Sequence, residues 1–265
     1  MASTENEIID RPVFSVVLVN YKTLELTSIC LKLLKKAFKD TAVQVWVVDN
    51  DSQDESTKYL KALDWIHFIE RAPVSGESGF MAHGRALDMV LERVDTEYLF
   101  LLHTDTLIYD ADIFNVMLKE CMDDGKVAAV GCVDQLYRGQ IRIYWRFITR
   151  LFKHYYRRLK LKLGLKSKQP KPYFEVYLKS FCALWNVKIM KENGMTFMLK
   201  DRIPGYGAQD LLAEKGFKIS YLSAKKVFKY LDHVESATVS AQGGYGENHR
   251  RTKKYHDILE KMSEI

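Results

Sequence analysis

Between Phe14 and Val133 short apolar runs alternate with amphipathic stretches, and that alternation confines the chain to few folds. Phe14-Ser-Val-Val-Leu-Val19 is β-branched and continuous, as a strand buried on both faces is. Thr23 to Phe38 then places Leu26, Ile29, Cys30, Leu33, Leu34 and Ala37 on one helical face. Val43–Val48 predicts a second strand, Ser56–Leu63 a helix and Ile66–Ile69 a third strand. A loop over Gly76–Gly79, a helix over Phe80–Val94, a fourth strand over Tyr98–Leu102 and a fifth over Val127–Val133 follow. Phe181–Trp185 reads as a later strand. Strands alternating with helices predict an α/β fold with a mostly parallel central sheet flanked by helices. One domain is expected over residues 1–265.

Such sheets bind ligands beyond the carboxyl ends of their strands. Polar residues stand at those points: Asn20 and Tyr21 after the first strand, Asp49-Asn50-Asp51 after the second, His103-Thr104-Asp105 after the fourth. Any one of them also reads as a helix cap or a turn residue. Their shared rim points to a binding site.

Three stretches resemble the GT-A glycosyltransferases of the large family 2 group. Phe14–Tyr21 with Val47-Val-Asp-Asn-Asp-Ser-Gln-Asp54 is similar to that family's first two strands and acidic turn. Leu101-Leu-His-Thr-Asp-Thr106 resembles its metal-binding D-x-D segment. Gly205-Tyr-Gly-Ala-Gln-Asp-Leu-Leu-Ala-Glu-Lys-Gly-Phe-Lys-Ile219 resembles its late acidic motif, and His233 stands where the family often has a histidine. The resemblance implies a GT-A-like fold and a nucleoside-diphosphate sugar lying across the strand ends. The nucleotide would be UDP or dTDP. It implies that Asp49 holds the base or ribose, with Asn20, Tyr21, Asn50 and Thr104 beside the donor. It also implies that Gly79 admits the donor close to backbone, a task suited to a residue without Cβ.

Asp105 and His233 are the metal ligands implied, for Mn²⁺ or Mg²⁺, with Mn²⁺ favoured because an imidazole takes part. His103 replaces the first Asp of D-x-D and is expected to contact a phosphate or to pack. Asp210 is the candidate general base, in an inverting single displacement, and otherwise a helix cap. Gln209 replaces the first acid of the late motif and is a candidate acceptor or phosphate contact. Arg85 pairs with phosphate or is a solvated helix residue. Arg250 and Arg251, after the glycine-rich stretch that begins at Gly243, are phosphate contacts of a C-terminal lid or part of a plain tail and helix over 243–265.

The net charge is +6, and it is concentrated. Twelve bases lie from Arg138 to Lys171, and no acid lies between Asp134 and Glu175. Without these twelve the 40 bases fall to 28 against 34 acids, so the rest of the chain carries −6. Within this insertion, over 134–175, Ile141, Trp145, Ile148, Phe152, Tyr155 and Leu159 share one helical face. Arg142, Arg146, Arg150, Lys153 and Arg157 fall along another. This pattern describes a helix lying on an anionic membrane surface, or a helix packed on the core with a solvated basic face. A peripheral protein at the cytoplasmic face of the plasma membrane is expected, acting on a saccharide or lipid-linked acceptor in surface-polysaccharide synthesis.

Nucleic acid is not an expected partner, since the rest of the chain is acidic and carries no recognition motif. Neither a signal peptide nor a membrane-spanning run is read in the sequence. Cys30, Cys121, Cys132 and Cys182 are widely spaced and expected to be reduced and buried. A dinucleotide-dependent oxidoreductase lacks its glycine-rich turn here, because Val19-Asn-Tyr-Lys-Thr23 follows the first strand. A nucleotide-sugar-binding protein without transfer activity and an adaptor built around the basic segment are the remaining alternatives.

Overall fold

The computed structural model describes residues 13–39, 41–137, 139–170, 173, 176–234, 240, 244 and 249–262. The chain runs through β1 (Phe14–Asn20), α1 (Leu24–Ala37), β2 (Gln44–Asp49), α2 (Glu55–Lys61), β3 (His67–Glu70) and α3 (Gly79–Arg93). It continues through β4 (Tyr98–His103), β5 (Thr106–Ile108), α4 (Asp112–Met122), β6 (Val127–Gly131) and α5 (Gln140–Lys162). Then come β7 (Cys182–Asn186), α6 (Val187–Glu192), α7 (Tyr206–Glu214), β8 (Lys218–Tyr221), α8 (Ala224–Val227), β9 (Leu231–His233) and α9 (Arg250–Met262).

Seven strands form the main sheet in the order β3-β2-β1-β4-β7-β6-β8. β1 pairs in parallel with β2 and β4, and β2 with β3. The register sets Asn20 beside Asp49 and Val19 beside His103, so the polar residues that end these strands share one rim. β7 runs antiparallel to both of its neighbours, β4 and β6. The strand expected over Val127–Val133 ends at Gly131, and the Cys132 carbonyl turns to accept from Lys179 N–H at 3.0 Å.

The sheet is buried on both faces. On one side Phe100 and Phe114 pack with Phe14 and Phe38, at centroid separations of 4.8 to 5.8 Å. Such aromatic pairs are each worth about 0.5–1.5 kcal/mol beyond their burial. On the other, Leu87, Val90 and Leu91 of α3 meet Leu99, Leu101, Trp185 and Phe197. The four cysteines are free and buried.

A second sheet of two three-residue strands, β5 and β9, pairs Thr106 with His233. It stands at the carboxyl end of β4 and carries His233 to Asp105. α9 docks through buried Tyr255 and Ile258, and the Tyr255 hydroxyl donates to Glu25 of α1 at 2.7 Å.

α5 forms the helix expected in the basic insertion, and its aromatic face is not packed on the core. Ile141, Trp145 and Phe152 are 87%, 66% and 72% exposed. Arg146 and Arg150 are half-buried, with the Arg146 guanidinium 4.0 Å from Asp134. The aromatic face therefore meets solvent while part of the basic row turns inward. Among the described residues no helix is long and apolar enough to cross a membrane.

Candidate active site

A cleft of about 660 Å³ opens over the ends of β1, β2 and β4. Tyr21, Asn50 and Asp51 line one part of it, His103, Thr104, Asp105 and His233 another. Gly79 at the start of α3 also lines it; a Cβ there would meet no protein atom within 4 Å, so its absence widens the open space.

Asn20 and Asp49, expected beside the donor, are instead wholly buried behind the cleft wall. The Asn20 amide donates to Asp49 at 2.7 Å and to Ser56 at 2.8 Å, and its Oδ1 accepts from Thr27 at 2.8 Å. Asp49 also accepts from the Thr57 hydroxyl at 2.7 Å and from Ser52 N–H at 3.3 Å. This network satisfies a buried carboxylate and ties the ends of β1 and β2 to the starts of two helices. The wall itself is Asn50 and Asp51. Asp51 holds φ +62°, a left-handed backbone that Asp tolerates better than most residues.

Arg71 and Glu77, which also line the cleft, had no motif to announce them. Arg71 donates through Nη1 to Asn50 Oδ1 at 2.8 Å and through Nη2 to both carboxylate oxygens of Glu77 at 2.6–2.7 Å. This engagement leaves the Asn50 amide hydrogens as donors. Arg85, expected to meet phosphate or solvent, pairs with the same Glu77 at 3.1 Å and is outside the cleft lining.

His103, Asp105 and His233 bring one ligand atom each to within 4.8 Å of one another. The His233 Nδ1 is 2.9 Å from the Gln135 carbonyl, a contact that makes Nδ1 the protonated nitrogen of the neutral ring. Its Nε2 lone pair then faces an Asp105 oxygen at 3.2 Å. Two acceptors at that separation call for a proton or a cation between them. The His103 Nδ1 is 3.7 Å from the same oxygen, and its Nε2 is 2.9 Å from the Ser180 hydroxyl. Burial, with His83 beside it, pushes His103 down to about 3, so this ring is neutral at physiological pH. His83 packs edge-on against it at 5.2 Å between centroids and is itself pushed down to about 4 by burial. One carboxylate and two neutral imidazoles oriented from behind are a donor set that suits a divalent cation.

Gln209 and Asp210 follow the first turn of α7, outside the lining of this cleft. Two glycines shape that turn. Gly205 adopts φ +81° with Trp185 against it, and a Cβ on Gly207 would come 2.9 Å from the Leu199 carbonyl oxygen. Gln209 is 3% exposed, and its amide both accepts from Leu178 N–H at 2.9 Å and donates to the Leu178 carbonyl at 3.5 Å. A glutamate could not donate, which explains why an amide replaces the acid there; Gln209 is not free to touch an acceptor. Asp210 is ion-paired with Arg202 and accepts from the Tyr177 hydroxyl at 3.1 Å. The stretch from Tyr177 to Ser180 thus reaches Asp210 at one end and His103 at the other. The side chains of Arg250 and Arg251 lie outside the described residues.

A mostly parallel sheet with a cleft at its carboxyl rim and a His–Asp–His group beneath is an α/β arrangement of the GT-A type. The sequence model of glycosyl transferase family 2 matches residues 15–182, and the chain belongs to that family. No curated protein matches it in sequence. Among solved structures it resembles the mannosyltransferase PcManGT from Pyrobaculum calidifontis in complex with GDP-Man and Mn²⁺. The TM-score is 0.55 at 16% identity, over 80% of this chain and 55% of that one. It also resembles S. aureus TarS 1-349, with a TM-score of 0.51 at 14% identity over 86% and 63% of the two chains. The same TarS fragment in complex with UDP gives 0.50 at 15% identity, over 86% and 63%. The chain therefore spans little more than half of the first of these structures and under two thirds of the second. At such identities the likeness is one of fold.

Proposed function

We propose that this chain is an inverting glycosyltransferase assisted by a divalent cation. It moves a sugar from a nucleoside-diphosphate sugar, UDP- or dTDP-linked, to a saccharide or lipid-linked acceptor in cell-surface polysaccharide synthesis. The observation that carries this reading is the His103–Asp105–His233 group at the strand-end cleft. Asp105 and His233 would hold the cation, with His103 beside them, and two imidazoles favour Mn²⁺ over Mg²⁺. When bound, the cation stabilises negative charge developing on the leaving nucleoside diphosphate.

Tyr21, Asn50, Asp51 and Thr104 bind and orient the donor, and Asn50 offers its amide hydrogens to it. Asp210 takes the proton of the acceptor hydroxyl. That oxygen bonds to the anomeric carbon as the bond to the diphosphate breaks, and the electron pair leaves with the nucleoside diphosphate. Attack opposite the leaving group inverts the anomeric centre. The test is thermal unfolding with UDP, dTDP and GDP, with and without Mn²⁺. A ligand at 100 times its Kd stabilises by about 2.7 kcal/mol, a shift of roughly 5–11 °C for a chain of this size. No shift with any of the three would sink the reading.

The same proposal seats the protein on the cytoplasmic face of an anionic membrane through α5. The exposed Trp145 and Phe152 beside exposed Arg142, Lys153 and Arg158 support it. Each base near an anionic leaflet adds about 1 kcal/mol. Replacing Trp145 and Phe152 by Ser and Arg142 by Glu should abolish sedimentation with phosphatidylserine vesicles while leaving nucleotide binding intact. Undiminished sedimentation of that variant would remove the membrane from the account.

A further inference from the structure

We propose that Arg202 binds a phosphoryl group carried by the acceptor and so sets the acceptor hydroxyl beside Asp210. The inference rests on the assignment of Asp210 as proton acceptor. In the structure Arg202 Nη1 closes an ion pair on Asp210 Oδ2. The Tyr177 hydroxyl donates to that same oxygen at 3.1 Å. Arg202 Nη2 donates to the Tyr177 hydroxyl oxygen at 2.8 Å, and the guanidinium lies 5.3 Å from the Tyr177 ring centroid. Tyr177 in turn stacks on Tyr206, with centroids 4.1 Å apart and planes at 16°. Lys179 completes the group: its Nζ donates to the Tyr206 hydroxyl and lies 4.9 Å from that ring's centroid.

Arg202 and Tyr177 thus hold one carboxylate, with Tyr206 and Lys179 stacked behind them. Both donors fall on Oδ2, which leaves Oδ1 to accept a hydroxyl proton. Arg202 is the one able to turn to an anion. The Arg202 and Asp210 side chains are 38% and 40% exposed, so water screens the pair and it separates at little cost. A guanidinium fork matches the paired oxygens of a phosphoryl group, which carries up to two charges against the carboxylate's one. The Tyr177 hydroxyl meanwhile keeps the carboxylate oriented.

The approach to this cluster suits an anion as well. Tyr177 and Lys179 follow directly on the segment from Arg138 to Lys171, which holds twelve bases and no acid. Arg202 is therefore a specificity and positioning residue, and the bond changes remain those of the transfer itself.

The test is calorimetric titration of the full chain with glycerol 3-phosphate and with glycerol, in the native protein, Arg202→Gln and Arg202→Lys. Glycerol 3-phosphate should bind the native chain, and glycerol should not. Arg202→Gln should weaken phosphate binding at least tenfold, and Arg202→Lys should recover part of it, because an ammonium keeps the charge without the fork. Equal affinity in native and Gln proteins, or no binding to the native chain, would overturn the proposal. If the Gln variant does not fold, the Lys variant carries the comparison, with several-fold weaker binding expected. Nucleotide-induced thermal shifts, run in parallel, separate this inference from the one beneath it. Shifts in both proteins without Arg202-dependent phosphate binding defeat this inference alone. Arg202-dependent binding without any nucleotide shift upholds the anion site and defeats the transferase reading. A short-chain phosphatidate as second probe identifies the source of the phosphoryl group. Tighter binding than glycerol 3-phosphate assigns it to a lipid-linked acceptor and equal binding to a soluble one; both uphold phosphoryl recognition.

Discussion

Asp105→Asn is expected to lower turnover by a factor on the order of 10³, equivalent to about 4 kcal/mol of transition-state stabilisation. The change alters no more than one atom and one charge. Asp105 is the single carboxylate among the three groups that converge beneath the cleft, and its oxygen stands 3.2 Å from His233 and 3.7 Å from His103. Two neutral imidazoles without it hold a hard cation poorly. The variant should therefore also lose the Mn²⁺-dependent part of the thermal shift with nucleoside diphosphate, keeping only what nucleotide alone produces. Fold is not expected to suffer, because the Asp105 backbone carbonyl still accepts from Val234 N–H. Mn²⁺-stimulated turnover that survives the substitution would rule out this group as the cation site.

Asp210→Asn should act on a different term. Removing a general base costs a factor of about 10²–10⁴ in the chemical step. The side chain lies outside the cleft lining, so the nucleotide shift, with and without Mn²⁺, should equal that of the native chain. An amide oxygen still accepts from Tyr177 and Arg202, so the turn at the head of α7 should hold its shape. The two substitutions together thus separate binding of the leaving group from activation of the acceptor. Turnover within tenfold of native in Asp210→Asn would transfer the base role to another residue.

The strands that build the floor of the cleft were legible because they are buried on both faces and read as unbroken apolar runs. β1, β2, β3, β4 and β7 lie within a residue of expectation. β5 and β9 were not legible, since three residues show no period and their pairing follows from the whole fold. The site divides in the same way. Asp105 and His233 were marked by the family pattern and come together. Asp49 was marked too, yet it is the last residue of β2 and turns inward, while the left-handed turn at Asp51 carries that residue to the rim. Ser52, Ser56 and Thr57, all hydroxyls within eight positions, were the available hint that Asp49 had partners of its own. Nothing local announced Arg71 on Glu77 or Arg202 on Asp210, because each pair is assembled by loops.

The three-residue union of β5 with β9 has a thermodynamic consequence. The groups at 103 and 105 and the group at 233 are separated by more than a hundred positions of chain, so the unfolded polypeptide holds no ready-made chelate. Any ion that bridges Asp105 and His233 acts as a clasp across the ends of that long loop, and its free concentration becomes a variable of conformational stability. Depletion by a chelator would then lower conformational stability as well as remove the cation from the reaction.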